Sequence, residues 1–250
     1  MATSVRDQVT PEEWATRVDL ACAYRLIAHH GWDDLIFTHL SARVPGPEEH
    51  FLINPIGLYF EEITATSLVK VDLSGNILIP TPYQINPAGF IIHSCVHAAR
   101  HDLGAVFHTH SVAGVAVSCQ QQGLLPLSQT ELLVHTRVGY HDYEGVALET
   151  EEQPRLVADL GTNIALILRN HGLLSAGKTV AQAYLVHFLL EKACAIQVAA
   201  QAGGAALNVM SAEMAERVAH QAMSDFSGGA QLTWGAALRK MDRLDRSFRD

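Results

Sequence analysis

The chain has 250 residues, 48% of them apolar, and carries 17 Lys and Arg against 26 Asp and Glu, a net charge of −9. That length and apolar content suffice for a substantial buried core in one large domain or two small ones. The acidic balance, without any run of Lys or Arg, argues against a nucleic-acid or anionic-membrane surface.

Residues 1–10 hold no apolar run of the kind a signal peptide needs. Thr10-Pro11-Glu12-Glu13 is a capping box with Pro at the first helical position. It predicts a helix to about His30, where Gly31 can close it in a left-handed cap. Trp14, Val18, Cys22, Arg25, Leu26 and His29 fall on or near one stripe, which should pack on a sheet. Short strands follow at 40–44, 50–53, 68–72 and 77–79. Ser74-Gly75-Asn76 between the last two is a hairpin signal, giving this third an antiparallel flavour.

Asn86-Pro87 starts a helix running to about His101. His93 and His97 stand four apart on one face of it, a spacing that allows a metal pair but better fits one ring packed inside and the other exposed or hydrogen-bonded. The apolar run Leu103-Gly104-Ala105-Val106 then leads as a strand into Phe107-His108-Thr109-His110-Ser111. Side chains alternate along a strand, so His108 and His110 share a face and can reach one cation. Ser111 can cap the next helix, expected over 111–122. Residues 132–138 read as a strand, 139–145 as a polar aromatic loop, and 151–160 as a helix closed by Gly161. A second apolar run, 164–168, ends in Arg169-Asn170-His171-Gly172 and brings a third imidazole to a strand end. Three His without a fourth protein ligand leave an open position, the pattern of a catalytic rather than a structural metal.

Gly172-x-x-x-x-Gly177-Lys178-Thr179 matches the phosphate-loop pattern literally. The bulky Leu173-Leu174 and the histidine before it argue instead for a loop leading into a capped helix. Thr179-x-x-Gln182 begins the longest helix, to about Gly203-Gly204. His187, Glu191 and Lys192 within it argue against a membrane span. Further helices are expected at 211–223 and 234–248, the last with a solvated face of Arg and Asp. Cys22, Cys95, Cys119 and Cys194 form no CxxC pair and read as reduced core residues, as in a cytoplasmic chain. No repeat or linker divides residues 1–250, so one α/β domain is expected.

Pro87 to His110, Gly123-Leu124-Leu125-Pro126 and Arg169-Asn170-His171-Gly172 resemble the class II aldolase/adducin family. The run from His97 to Ser118, HAARHDLGAVFHTHSVAGVAVS, carries most of the likeness. The resemblance covers about residues 12–205, leaving C-terminal helices at 206–250, and is nearer the adducin-like branch than the sugar-phosphate aldolases. It implies a three-layer αβα fold around a mixed, mostly antiparallel sheet. It also implies a homotetramer with sites between subunits, and a divalent metal, zinc in most members, on His108, His110 and His171. In the aldolases of this family a catalytic Glu stands four residues before the helix His matching His93; here that position is Gly89. Their phosphate-binding residues fall at Pro87, Ala88 and Ile56-Gly57, and a family Asn falls at His39. The metal ligands are thus kept, while the phosphate clamp and the usual proton shuttle are not.

The function expected is a metal-dependent lyase (retro-aldol, decarboxylation or dehydration) acting on an unphosphorylated carbonyl or carboxylate small molecule. Glu131, Tyr83, His93 and Tyr140 are the candidate replacements for the missing acid/base. The alternatives are a non-catalytic adducin-like interaction module, and a non-haem iron oxygenase using the same three His.

Overall fold

The computed structural model describes residues 4–146, 150–223 and 226–250. In chain order its helices are α1 (Val5–Gln8), α2 (Pro11–His30), α3 (Pro87–Ala99), α4 (Val112–Ser118), α5 (Gln129–Leu132), α6 (Gln153–Leu160), α7 (Val180–Gln201), α8 (Ala212–Met223) and α9 (Phe226–Leu244). Its strands are β1 (His39–Arg43), β2 (Phe51–Ile53), β3 (Val69–Val71), β4 (Ala105–Thr109), β5 (Val138–His141), β6 (Ala165–Leu168) and β7 (Gly172–Gly177). They form one sheet in the order β3-β2-β1-β4-β7-β6-β5. Among the described residues, only β5 and β6 pair in parallel. The sheet is therefore mixed and mostly antiparallel, as expected.

Alternation along the strands sorts the core into layers. Phe107 of β4, Leu40 of β1 and Leu173 of β7 point to the face covered by α2, α4 and α7. Val106, Leu166 and Leu174 point to the other, where α3 and α6 close it with Ile92, Val96, Leu156 and Leu160. Helices therefore lie on both sides, giving three layers.

Capping explains where the main helices begin. Thr10, Asn86, Ser111 and Thr179 each accept a backbone N–H from the first turn that follows. Gly31 closes α2 in the left-handed region, at φ 67°. Helix α2 is not a one-stripe helix, however. Every residue from Leu20 to Ile27 is buried, because the sheet lies on one side and α7, α9 and the C-terminal turn cover the rest. Trp234 donates to Asp19 at 3.0 Å, and Arg25 bonds Asp245 and Ser247. The C-terminal helix starts earlier than expected, at Phe226, and ends at Leu244. A 3-10 turn then follows, whose Phe248 is fully buried.

Three further expectations are corrected. Residues 132–137 are not a strand; α5 ends at Leu132, a 3-10 turn covers His135–Arg137, and the strand begins at Val138 and runs to His141. Gly172–Gly177, expected as a loop leading into a capped helix, is the buried strand β7, paired with β4 and β6. Cys119 is exposed, unlike the other three cysteines.

Candidate metal centre

Strands β4, β5 and β6 run the same way, so their C-terminal ends meet at one edge of the sheet. β1 runs oppositely and brings its first residue there, His39 facing His108 across the ladder. That edge is where ligands settle in open α/β sheets. His108 and His110 stand at the end of β4. His171 follows β6 in a turn that Asn170 makes with φ 58°, a conformation Asn tolerates. Gly172 then lets β7 run against β4, since a Cβ there would lie 2.4 Å from the Thr109 carbonyl oxygen. The turn thereby delivers His171 beside the other two rings.

One ring nitrogen from each of His108, His110 and His171 lies within 4.8 Å of the others. Ring centroids are 4.7–4.9 Å apart. His108 Nδ1 is 2.9 Å from the Leu173 carbonyl oxygen, which can only accept, so this nitrogen carries the hydrogen. His110 Nδ1 stands 3.0 Å from Asp34 Oδ2, again an acceptor. Both Nε2 atoms are then bare, and they face each other at 2.9 Å. Two lone pairs at that separation call for a cation between them. Outer partners of this kind, fixing each ring and its tautomer, typify metal-ligating histidines. Burial holds His108 well below the ordinary imidazole range, and the neighbouring His171, His39 and His110 push the same way. Burial, then His110 and His141, lower His171 to about 4. Neutral imidazole is the form that ligates. The donor set suits zinc, and also iron, nickel or copper.

The rings open into a cavity of about 400 Å³, lined also by Asp34, Phe37, His39, Asn86, Ala88, Ile92, Tyr143 and Val146. No Lys or Arg is among the described lining residues. At its mouth Phe37, Tyr143 and Val146 are exposed.

The other face of the same strand end is also polar. Thr109 donates to Glu191 at 2.7 Å and lies 3.0 Å from His187, which also bonds Ser175. Ser111 donates to the second oxygen of Glu191 and accepts from Gly114 N–H. These groups are buried, and they pin the end of β4 to α7.

The four candidate acid/base residues scatter. Glu131 is buried near α7, on the opposite face of the sheet, accepting from Leu127 N–H and lying 2.8 Å from His135. Tyr140 faces the same side, accepts from Leu124 N–H and lies under Arg169. Tyr83 packs on the small cluster of Phe51, Ile53, Val69 and Val71. None of the three lines the cavity. His93 is fully buried one layer behind it, 2.8 Å from His39. His97 is buried too, so neither ring of that pair is solvated. The space over Gly89 is filled by His39, whose Cδ2 would lie 2.6 Å from a Cβ at that position. His39 and Asp34 are the site residues the sequence reading missed. Extending the first strand one residue earlier would have put His39 on the face of Ser41; Asp34, in a loop, left no signal.

The sequence profile of the Class II Aldolase and Adducin N-terminal domain matches residues 18–198. A Pseudomonas aeruginosa protein, provisionally named an aldolase class 2 protein, is 55% identical over 100% of this chain and 97% of its own. Rat alpha-adducin is 46% identical over 75% of this chain and 26% of its own length. Among solved structures, an aldolase II superfamily protein from Pseudomonas syringae superposes with a TM-score of 0.95 at 53% identity, covering 98% of this chain and 99% of that one. L-fuculose 1-phosphate aldolase from Glaciozyma antarctica gives a TM-score of 0.83 at 26% identity, covering 100% and 96%.

Proposed function

The chain belongs to the class II aldolase and adducin family, and from that premise we propose that it is a metal-dependent lyase for a small unphosphorylated carbonyl or carboxylate compound. The observation that carries this reading is the trio His108, His110 and His171, with two of its rings held so that bare nitrogens converge. These residues would hold a divalent cation, zinc by family precedent. When bound, it supplies Lewis acidity, polarising a carbonyl oxygen and stabilising the negative charge that carbon–carbon or carbon–oxygen cleavage leaves behind.

The rest of the chemistry is the chain's own. The Leu173 carbonyl and Asp34 fix ring orientation. Phe37, Ile92 and Val146 give the cavity apolar walls, which suit the hydrocarbon part of a small organic substrate. A phosphate dianion asks for several donors, commonly from Arg or Lys. Pro87 and Ala88 offer no side-chain donor, and the described lining residues include no cationic side chain. The substrate is therefore unphosphorylated, in contrast to that of the Glaciozyma antarctica relative. Exposed Phe37, Tyr143 and Val146 at the mouth support a homotetramer with sites between subunits. Its test is light scattering, where Phe37→Lys should lower the mass. Cysteines all unpaired fit the cytoplasm.

A second reading, a non-catalytic interaction module, is supported by the 46% identity to rat alpha-adducin. Protein purified without an affinity tag decides between them. About one zinc per chain, lost in His171→Ala, together with turnover of unphosphorylated aldols or keto acids but not sugar phosphates, is the lyase outcome. Absence of bound metal is the module outcome, and bound iron would point to oxygenase chemistry.

A further inference from the structure

Behind the cavity runs a chain of side chains that metal binding does not use. His39 Nδ1 lies 2.8 Å from His93 Nε2. His93 Nδ1 meets Ser41 Oγ in a short bond. Ser41 Oγ lies 2.8 Å from His97 Nε2. His97 Nδ1, at the inner end, is buried with no partner among the described residues. His39 is 3% exposed, and the other three are fully buried. The outer end is His39 Nε2, the only ring nitrogen of the four groups left to face the cavity, which His39 lines.

Counting hydrogens decides what that end presents. The three rings are buried and bond only to one another and to the neutral Ser41 hydroxyl, so each ring carries one hydrogen and Ser41 carries one. Four hydrogens must serve three internal contacts and one of the two ends. Each neutral ring donates from one nitrogen and accepts at the other, and a Ser41 hydroxyl that accepted from both rings would strand its own buried hydrogen, so all bonds run in one direction. If they run inward, His97 Nδ1–H is stranded without an acceptor. If they run outward, His97 donates to Ser41, Ser41 to His93, and His93 to His39. The fourth hydrogen then sits on His39 Nε2 and points into the cavity. Native interiors tolerate an unfilled acceptor more readily than an orphaned N–H. The Arg43 guanidinium, which bonds the His97 carbonyl oxygen, also places positive charge beside this ring. Positive charge favours a lone pair facing it over an N–H. Both arguments select the outward direction.

We propose that His39 is a fixed Nε2–H donor to the substrate, aimed at an oxygen that turns negative in the cavity, and that His93, Ser41 and His97 are positioning residues that set its tautomer. The ring occupies the space over Gly89 and stands outside the three-ligand set. A preorganised neutral donor of this kind stabilises a developing oxyanion without adding net charge. The class of substrate rests on the lyase reading; the donor does not.

The test is 15N-histidine spectroscopy of the full chain, apo and zinc-loaded, with rings assigned through His39→Leu, His93→Gln and His97→Gln. His39, His93 and His97 should each show the single Nε2–H tautomer, and Ser41→Ala should leave His39 in a tautomer mixture with zinc content unchanged. Oxalate, used as an oxygen-anion probe of the zinc-loaded protein, should bind about tenfold or more weakly to His39→Leu, again at unchanged zinc content. A bare Nε2 on His39 in the wild-type spectrum overturns the proposal without recourse to any variant. So does loss of zinc from His39→Leu, which would make the ring a ligand, or an unaltered oxalate affinity. If the tautomers and oxalate binding are as stated but no carbonyl compound turns over, the lyase reading falls and the donor stands.

Discussion

At the scale of single residues, the buried imidazoles make stability depend on acid. Burial, with Arg43 nearby, lowers His97 to about 3, against an ordinary value of about 6.5. Between those values the unfolded chain takes up a proton that the folded chain refuses. Stability is therefore full above pH 6.5 and is lost as pH falls toward 3. His39 and His93 act with the same sign. Urea unfolding from pH 7 to pH 4 should show a steep decline, and His97→Leu should make the decline shallower by up to one proton. The three candidate ligands were legible in the sequence because each ends an apolar run, where strand alternation and strand ends constrain geometry. The acid/base candidates were not. Glu131 and Tyr140 are polar residues near the right segments, but strand alternation turns Tyr140 to the other face of the sheet, and α5 packs Glu131 against α7 on that same face.

At the scale of elements, β7 holds the arrangement together. It runs between β4 and β6 and carries Gly172 at the point where His171 leaves the turn. A Cβ at Gly172 would meet backbone, the Thr109 carbonyl oxygen, which cannot swing aside. Gly172→Ala should part the two strands, cost about 2 kcal/mol and weaken zinc binding at least tenfold. Urea unfolding and competition with a zinc chelator measure the two effects. The sequence concealed this strand behind a literal phosphate-loop match. A strand covered on both faces shows no alternation, and one of its partners, β4, lies far away in the chain. The same cause hid the nature of α2. A stripe was expected, yet its outer side is covered by α7 and by the C-terminal segment, which no local pattern announces. Helix starts fared better, because caps are local chemistry: Thr10, Asn86, Ser111 and Thr179 all cap where the sequence said they would.

At the scale of the whole molecule, the sheet order could not be read from residue patterns, since it joins β1 to β4 and β4 to β7 across long stretches of chain. The family resemblance supplied what the patterns lacked. Helix α7 is long and apolar enough to cross a bilayer, yet it packs along β4 and β7 with His187 and Glu191 buried against Thr109. The candidate ligands and their supports come from three separate stretches: Asp34 after α2, the end of β4, and the β6–β7 turn. A single cation there would behave as a rivet through plates made at different times during synthesis. Saturating zinc, at a thousandfold over its dissociation constant, should then add about 4 kcal/mol to global stability, seen as a rise in melting temperature. Chelation should loosen the seam, and amide exchange should quicken around residues 34–38 and 169–172 before the far edge at β3 responds.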